Sequence, residues 1–200
     1  VQNRYFPTLI CGLAALAPVA ALAQASDPAI PVIDAFDSAL VDAMKAKGGA
    51  EVRYTRLLPV VQRTFDLPVM TRFAVGAAWS GYTPAEQGAL VKAFERLTTA
   101  NLARNFASYD GEQFKVNPTV QVRGPDKLVR SQIVPAQGDP TDLNYRMRES
   151  GGSWKVIDVY FGAVSQLTAQ RSDFASTAVP GGAGALVRKI NAKSDELLKR

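Results

Sequence analysis

Histidine is absent from this sequence, and cysteine occurs once, as Cys11. Without a histidine there is no Ser-His-Asp or Cys-His pair to activate a nucleophile, and no zinc site of the usual nitrogen and sulfur kind. One cysteine cannot close an intramolecular disulfide, so a hydrophobic core must hold the fold alone. No Walker loop, dinucleotide fingerprint or calcium-binding loop occurs either. The acidic residues offer no convincing catalytic pair: Asp34, Asp37 and Asp42 fall on the polar side of a predicted first helix, and Asp139 and Asp142 fall in a turn, all positions that solvent explains. A hydrolase working with carboxylates alone therefore lacks its second acid. The 23 Lys and Arg exceed the 18 Asp and Glu, but they are scattered and not interleaved with aromatics, which argues against nucleic acid as a partner.

What the chain has is apolar. Hydrophobic residues make up 47% and charged residues 20% of its 200 positions, the balance of a globular protein with a sizeable core. The first apolar stretch has a different meaning. Val1 to Phe6 carries one positive charge, Arg4, and Pro7 to Leu22 is an apolar run ending in Ala21-Leu22-Ala23. This predicts an export signal over residues 1–23, cut after Ala23 or, through Ala23-Gln24-Ala25, after Ala25. A membrane anchor fits less well, because Pro7 and Pro18 interrupt the run and no basic stop follows it. Ile10 stands before Cys11 where a lipoprotein needs a small residue. Cleavage leaves residues 24–200 as a single domain with neither cysteine nor histidine.

Along that domain, Val32, Ile33, Phe36, Leu40, Ala43 and Met44 share one helical face, which Gly48-Gly49 stops. Glu51 to Phe65 continues helically, with Pro59 expected to kink or split it. Asp66 is placed to cap a third helix through Leu67, Val69, Met70, Phe73 and Ala74, ending near Gly76 or Gly81. Thr83-Pro84-Ala85-Glu86 is a capping box with proline at the first helical position. It opens a long helix expected to reach Asp110-Gly111 through Leu90, Phe94, Leu97, Leu102 and Phe106. The period then drops to two. Phe114, Val116, Val120 and Val122 surround Asn117-Pro118 in a bulged or edge strand. Lys127 to Pro135 forms a second strand, and Leu143, Tyr145 and Met147 alternate with Asn144, Arg146 and Arg148 in a third.

Trp154 to Phe161 is a fourth strand, apolar on both faces and so expected at the centre of the sheet. Asp158 within it is expected to pair with an arginine or to cap backbone amides. After Gly162 the period becomes helical through Val164, Leu167, Arg171 and Phe174. Gly181-Gly182 then precedes a last helix with Leu186, Ile190 and Leu197 in a stripe. Its basic side suits either a solvated surface or a dock for anionic headgroups or an acidic partner. The fold class is therefore α+β: a twisted antiparallel sheet of about four strands packed with several helices. Periodicity leaves open whether these elements close a solid core or surround an apolar cavity.

Several motifs in this order resemble one family. They are Phe65-Asp66-Leu67 with Met70 and Gly76-x-x-Trp79, Tyr109-x-Gly111, Trp154-Lys155-Val156-x-Asp158-Val159, Gln170-Arg171-Ser172-x-Phe174, and Gly181-Gly182 with Leu186 and Lys193. Together they are similar to the MlaC, or toluene-tolerance, family of periplasmic lipid-binding proteins. Leu67-Pro68-x-Met70-Thr71-Arg72 and Val159-Tyr160 most resemble its hopanoid-associated HpnM branch.

The resemblance implies a cavity for lipid tails with the headgroup toward solvent, no enzymatic activity and no cofactor. It also implies a soluble, monomeric carrier of phospholipid or hopanoid. Its partners would be an inner-membrane ABC transporter with its substrate-binding ring and a lipid acceptor or donor at the outer membrane. The residues this points to as lining are Leu67, Met70 and Phe73 from the third helix, Phe94, Leu97 and Phe106 from the long helix, and Tyr145, Met147, Val159 and Phe161 from the sheet. Ordinary core packing competes at each. The Tyr145 hydroxyl belongs either at a cavity mouth or in a hydrogen bond within the core. A lipid with roughly 30 methylenes costs about 24 kcal/mol to expose, at about 0.8 kcal/mol each, so a carrier needs an apolar interior and no catalytic group. The rival reading is a periplasmic adaptor of a hopanoid or envelope-lipid complex, with a filled core and no cargo.

Overall fold

The computed structural model describes residues 26–199. The expected export signal, both cleavage positions and Cys11 lie outside the described residues. Helix α1, Ile30–Lys45, buries Ile33, Phe36, Leu40 and Ala43 on the face that the spacing predicts. Helix α2, Ala50–Thr64, carries Pro59 inside it and stays one helix, with the proline ring on the exposed side. Asp66 caps α3, Leu67–Val75, by accepting a hydrogen bond from the Val69 N–H at 3.2 Å. A 3-10 segment, Gly76–Gly81, follows.

Helix α4, Pro84–Asn105, begins at the complete capping box of Thr83 and Glu86. It stops at Asn105, short of the expected Asp110-Gly111, and the Phe106 N–H closes the last turn on the Leu102 carbonyl at 2.9 Å. The stripe that suggested more helix runs on into a loop where Phe106 stacks on Phe114, 6.0 Å between ring centroids.

The sheet has seven strands, all paired antiparallel: β1 Gln113–Val116, β2 Gln121–Arg123, β3 Asp126–Val129, β4 Ser131–Val134, β5 Thr141–Ser150, β6 Ser153–Phe161 and β7 Val164–Ser165. Two of the four expected strands are each split. Asn117-Pro118 divides β1 from β2, and Arg130 divides β3 from β4, so that β1 pairs with β4 while β2 pairs with β3.

Both pairs then lie along β5, whose ten residues are long enough to meet β4 at Thr141 and Asp142 and β3 from Tyr145 to Arg148. The centre of the sheet is therefore β5, not β6. On its far side β6 has only β7 and a single parallel bridge from Phe65 to Val156. Val156 and Ile157 of β6 are nevertheless buried, because helices cover the strand that the sheet leaves unpaired.

Helix α5, Gln166–Leu198, joins two segments expected to be separate helices, with a kink at Gly182 where φ is 67° and ψ −179°. Edge-to-face aromatic pairs hold the layers together: Phe36 meets Phe65 at 5.2 Å and Tyr145 at 5.9 Å, and Phe94 meets Phe174 at 6.2 Å.

Candidate functional site

Three buried carboxylates show how polar groups are managed around the core. Asp158 accepts from the Leu167 N–H at 3.1 Å and the Ser165 hydroxyl at 2.7 Å. It thus caps the start of α5, one of the two roles expected of it. Asp126 receives the guanidinium groups of Arg146 and Arg148. Burial pushes its carboxyl upward, but hydrogen bonds and charge from Arg148 and Arg146 outweigh that and hold it below its ordinary range.

Asp37 corrects the expectation of a solvated position: only 3% of it is exposed. β4 and β5 cover this side of α1, and Asp37 accepts hydrogen bonds from the Tyr145 hydroxyl at 2.7 Å and the Ser131 hydroxyl at 3.2 Å. Burial raises its pKa to about 7 against the opposing pull of those two hydroxyls, and the nearby Asp34 adds to the rise. The Tyr145 hydroxyl is thereby committed inside the core. Burial and the Asp37 charge push its own ionisation well above its ordinary value.

The same α1, β4 and β5 elements, with α4, β6 and the start of α5, surround a cavity of about 770 Å³. Phe36, Leu40 and Met44 of α1 form one wall, Phe94, Leu102 and Phe106 another, and Leu143, Tyr145, Val159 and Phe161 of the sheet a third. Phe65, Met70, Ile133, Pro135 and Leu167 add to the apolar surface. Phe161 is 51% exposed, so the apolar lining reaches solvent at the β6–β7 turn. Polar side chains, among them Asn101, Asn105, Glu112 and Gln170, share the lining.

Of the ten residues singled out from the sequence, Met70, Phe94, Phe106, Tyr145, Val159 and Phe161 line this cavity. Leu67 and Met147 are buried elsewhere in the core. Leu97 is buried beside a smaller hollow of about 450 Å³ with Phe174 and Ile190. Phe73 is 44% exposed, with the Arg171 guanidinium 5.0 Å above its ring. Helical periodicity put Phe73 on the Met70 stripe, but its ring lies on the exposed side of α3, where Arg171 of α5 also donates to the Phe73 carbonyl at 3.2 Å. Phe36, Leu40 and Met44 were visible as the buried stripe of α1; only the position of the sheet makes that stripe a cavity wall. The polar lining carries no pattern that sequence reading detects. Among the described residues no group of three or more Asp, Glu, His or Cys comes together to hold a metal.

The family model described as MlaC protein matches residues 32–192. The fold is that of a phospholipid-binding protein from Ralstonia solanacearum, solved in complex with a phospholipid: the TM-score is 0.74 at 23% identity, over 86% of this chain and 99% of that one. No curated protein matches the sequence.

Proposed function

The chain belongs to the MlaC family, and from that premise we propose that it is a lipid carrier without enzymatic activity, which holds the apolar part of a phospholipid or hopanoid in its cavity. The observation that carries this reading is the cavity itself, walled by aromatic and aliphatic side chains and open at Phe161. A methylene takes up about as much space as a water molecule, roughly 30 Å³, so 770 Å³ has room for about 25 of them. Sheltering that many stabilises the bound lipid by about 20 kcal/mol relative to exposed tails, at about 0.8 kcal/mol each. That the Ralstonia solanacearum protein of the same fold was solved with a phospholipid supports a lipid as the occupant.

The export signal and the family together support a periplasmic location, with residues 24–200 as the mature domain. The carrier would exchange lipid with an inner-membrane ABC transporter and its ring on one side and an outer-membrane partner on the other. The HpnM-like motifs favour hopanoid among the cargoes to be tested first.

The test is to fill the cavity. Val159→Trp and Phe94→Asp are expected to lower the lipid recovered per folded protein, the first by occupying space and the second by placing a charge among the tails. Wild-type lipid content in both variants, with folding checked by circular dichroism, would remove this cavity as the binding site.

A further inference from the structure

The cavity reaches solvent through surface that carries no charge. Among the described residues, those that line it and are exposed are Asn105, Ala107, Ser108, Phe161 and Gln166, and none of them is charged. Phe161 also has an apolar neighbour that the cavity does not use. In the hairpin of β6 and β7 it pairs across the strands with Val164, which is 59% exposed and lies outside the cavity lining. Gly162 and Ala163 between them are exposed as well.

Residues paired across a hairpin share one of its faces, so Phe161 and Val164 form one continuous apolar tip whose inner end is cavity wall. The turn at the other end of β6 has a different character: Ser150-Gly151-Gly152-Ser153 carries no apolar side chain. An exposed apolar patch joined to a lipid-sized cavity fits a surface that is itself apolar inside. If the mouth opened on water, each methylene of a departing tail would lose its shelter. With the tip in a bilayer, the wall at Phe161 continues into hydrocarbon. Charged groups at the mouth would oppose that contact, because they would have to shed water, and the exposed lining has none.

We propose that the Phe161 to Val164 tip inserts into a lipid bilayer and seats the mouth on it, so that lipid passes between cavity and membrane without crossing water. The proposal rests on the carrier reading and deepens it. The contact is made by apolar insertion, not by charge. Asp142, whose backbone carbonyl accepts from the Gly162 N–H at 2.9 Å, brings a carboxylate and not a cation to this end of the sheet. Neutral bilayers should therefore suffice.

In the test, the chain is loaded from vesicles of radiolabelled phosphatidylcholine, phosphatidylethanolamine and a hopanoid. It is then mixed with unlabelled, sucrose-filled phosphatidylcholine vesicles, which are sedimented at intervals and counted. Delivery should quicken in proportion to vesicle concentration and be the same at low and high salt. Val164→Asp should slow it about tenfold, since an inserted aliphatic side chain is exchanged for a charge. Val164→Trp, which places a favoured interfacial residue at the tip, should speed it, and both variants should load as much lipid as the wild type. Val179→Asp, at a position 77% exposed and outside the cavity lining, should change nothing. A rate independent of vesicle concentration, wild-type delivery by the two Val164 variants, an equal loss in Val179→Asp, or delivery that needs anionic lipid and fails at high salt would each overturn the proposal. A folded chain that loads none of the three lipids removes the carrier reading and this proposal with it.

Discussion

Burial without a cationic partner makes Asp37 hold its proton up to about pH 7, against an ordinary value of 3.8. The folded state therefore binds a proton that the unfolded state has released throughout that interval, and stability falls as pH rises through it. The stabilisation is complete below about pH 4 and is lost as pH passes the raised folded value. At about 1.4 kcal/mol per unit the full effect is on the order of 4 kcal/mol. No histidine is present to titrate in the same window, so the slope has one main source.

The urea midpoint of the wild type should be lower at pH 8 than at pH 5, and Asp37→Asn should flatten that difference. An unchanged slope in the variant would assign it to another group. Asp126, held low by its arginines, has the opposite sign: its contribution is present above about pH 4 and is lost as pH falls further. The sequence made the role of Asp158 legible, since a carboxylate inside an apolar strand has few other ways to be satisfied. It concealed Asp37, because a helical wheel shows which side chains share a face but not that a sheet will cover the polar one.

Elements with local signals were readable almost to the residue. The capping box at Thr83 needs only Thr83 and Glu86, three positions apart, and it forms in full, with the Thr83 N–H donating to Glu86 at 2.8 Å. Thr83→Ala should lower stability by about 1 kcal/mol, measured from urea unfolding. Gly182 marks the kink in α5 at φ 67°, and a methyl group there would meet nothing within 4 Å. Gly182→Ala thus tests backbone strain alone, and an expected cost of roughly 1–3 kcal/mol would separate it from a simple packing effect. Strand partners, by contrast, were not readable. Nothing at Arg130 announces that β3 and β4 part there, and the two alternating arginines of β5 read as a half-solvated strand until Asp126 on β3 is seen to bind both. That pairing is between residues distant in sequence, which no local period records.

At the scale of the whole molecule, the helix and sheet content was legible from period changes at Gly111 and Gly162, while the cavity was not. Met70 and Phe94 line it and Leu67 and Leu97, with the same apolar character and helical spacing, do not. What separates them is which neighbour the tertiary fold brings opposite each one. The central claim is that this space is made for lipid. The most direct measurement is to express the chain in a host that makes both phospholipids and hopanoids, purify the folded protein, unfold it in organic solvent and weigh the released lipid by mass spectrometry. The account predicts about one lipid per folded chain; a folded protein that releases none would contradict it.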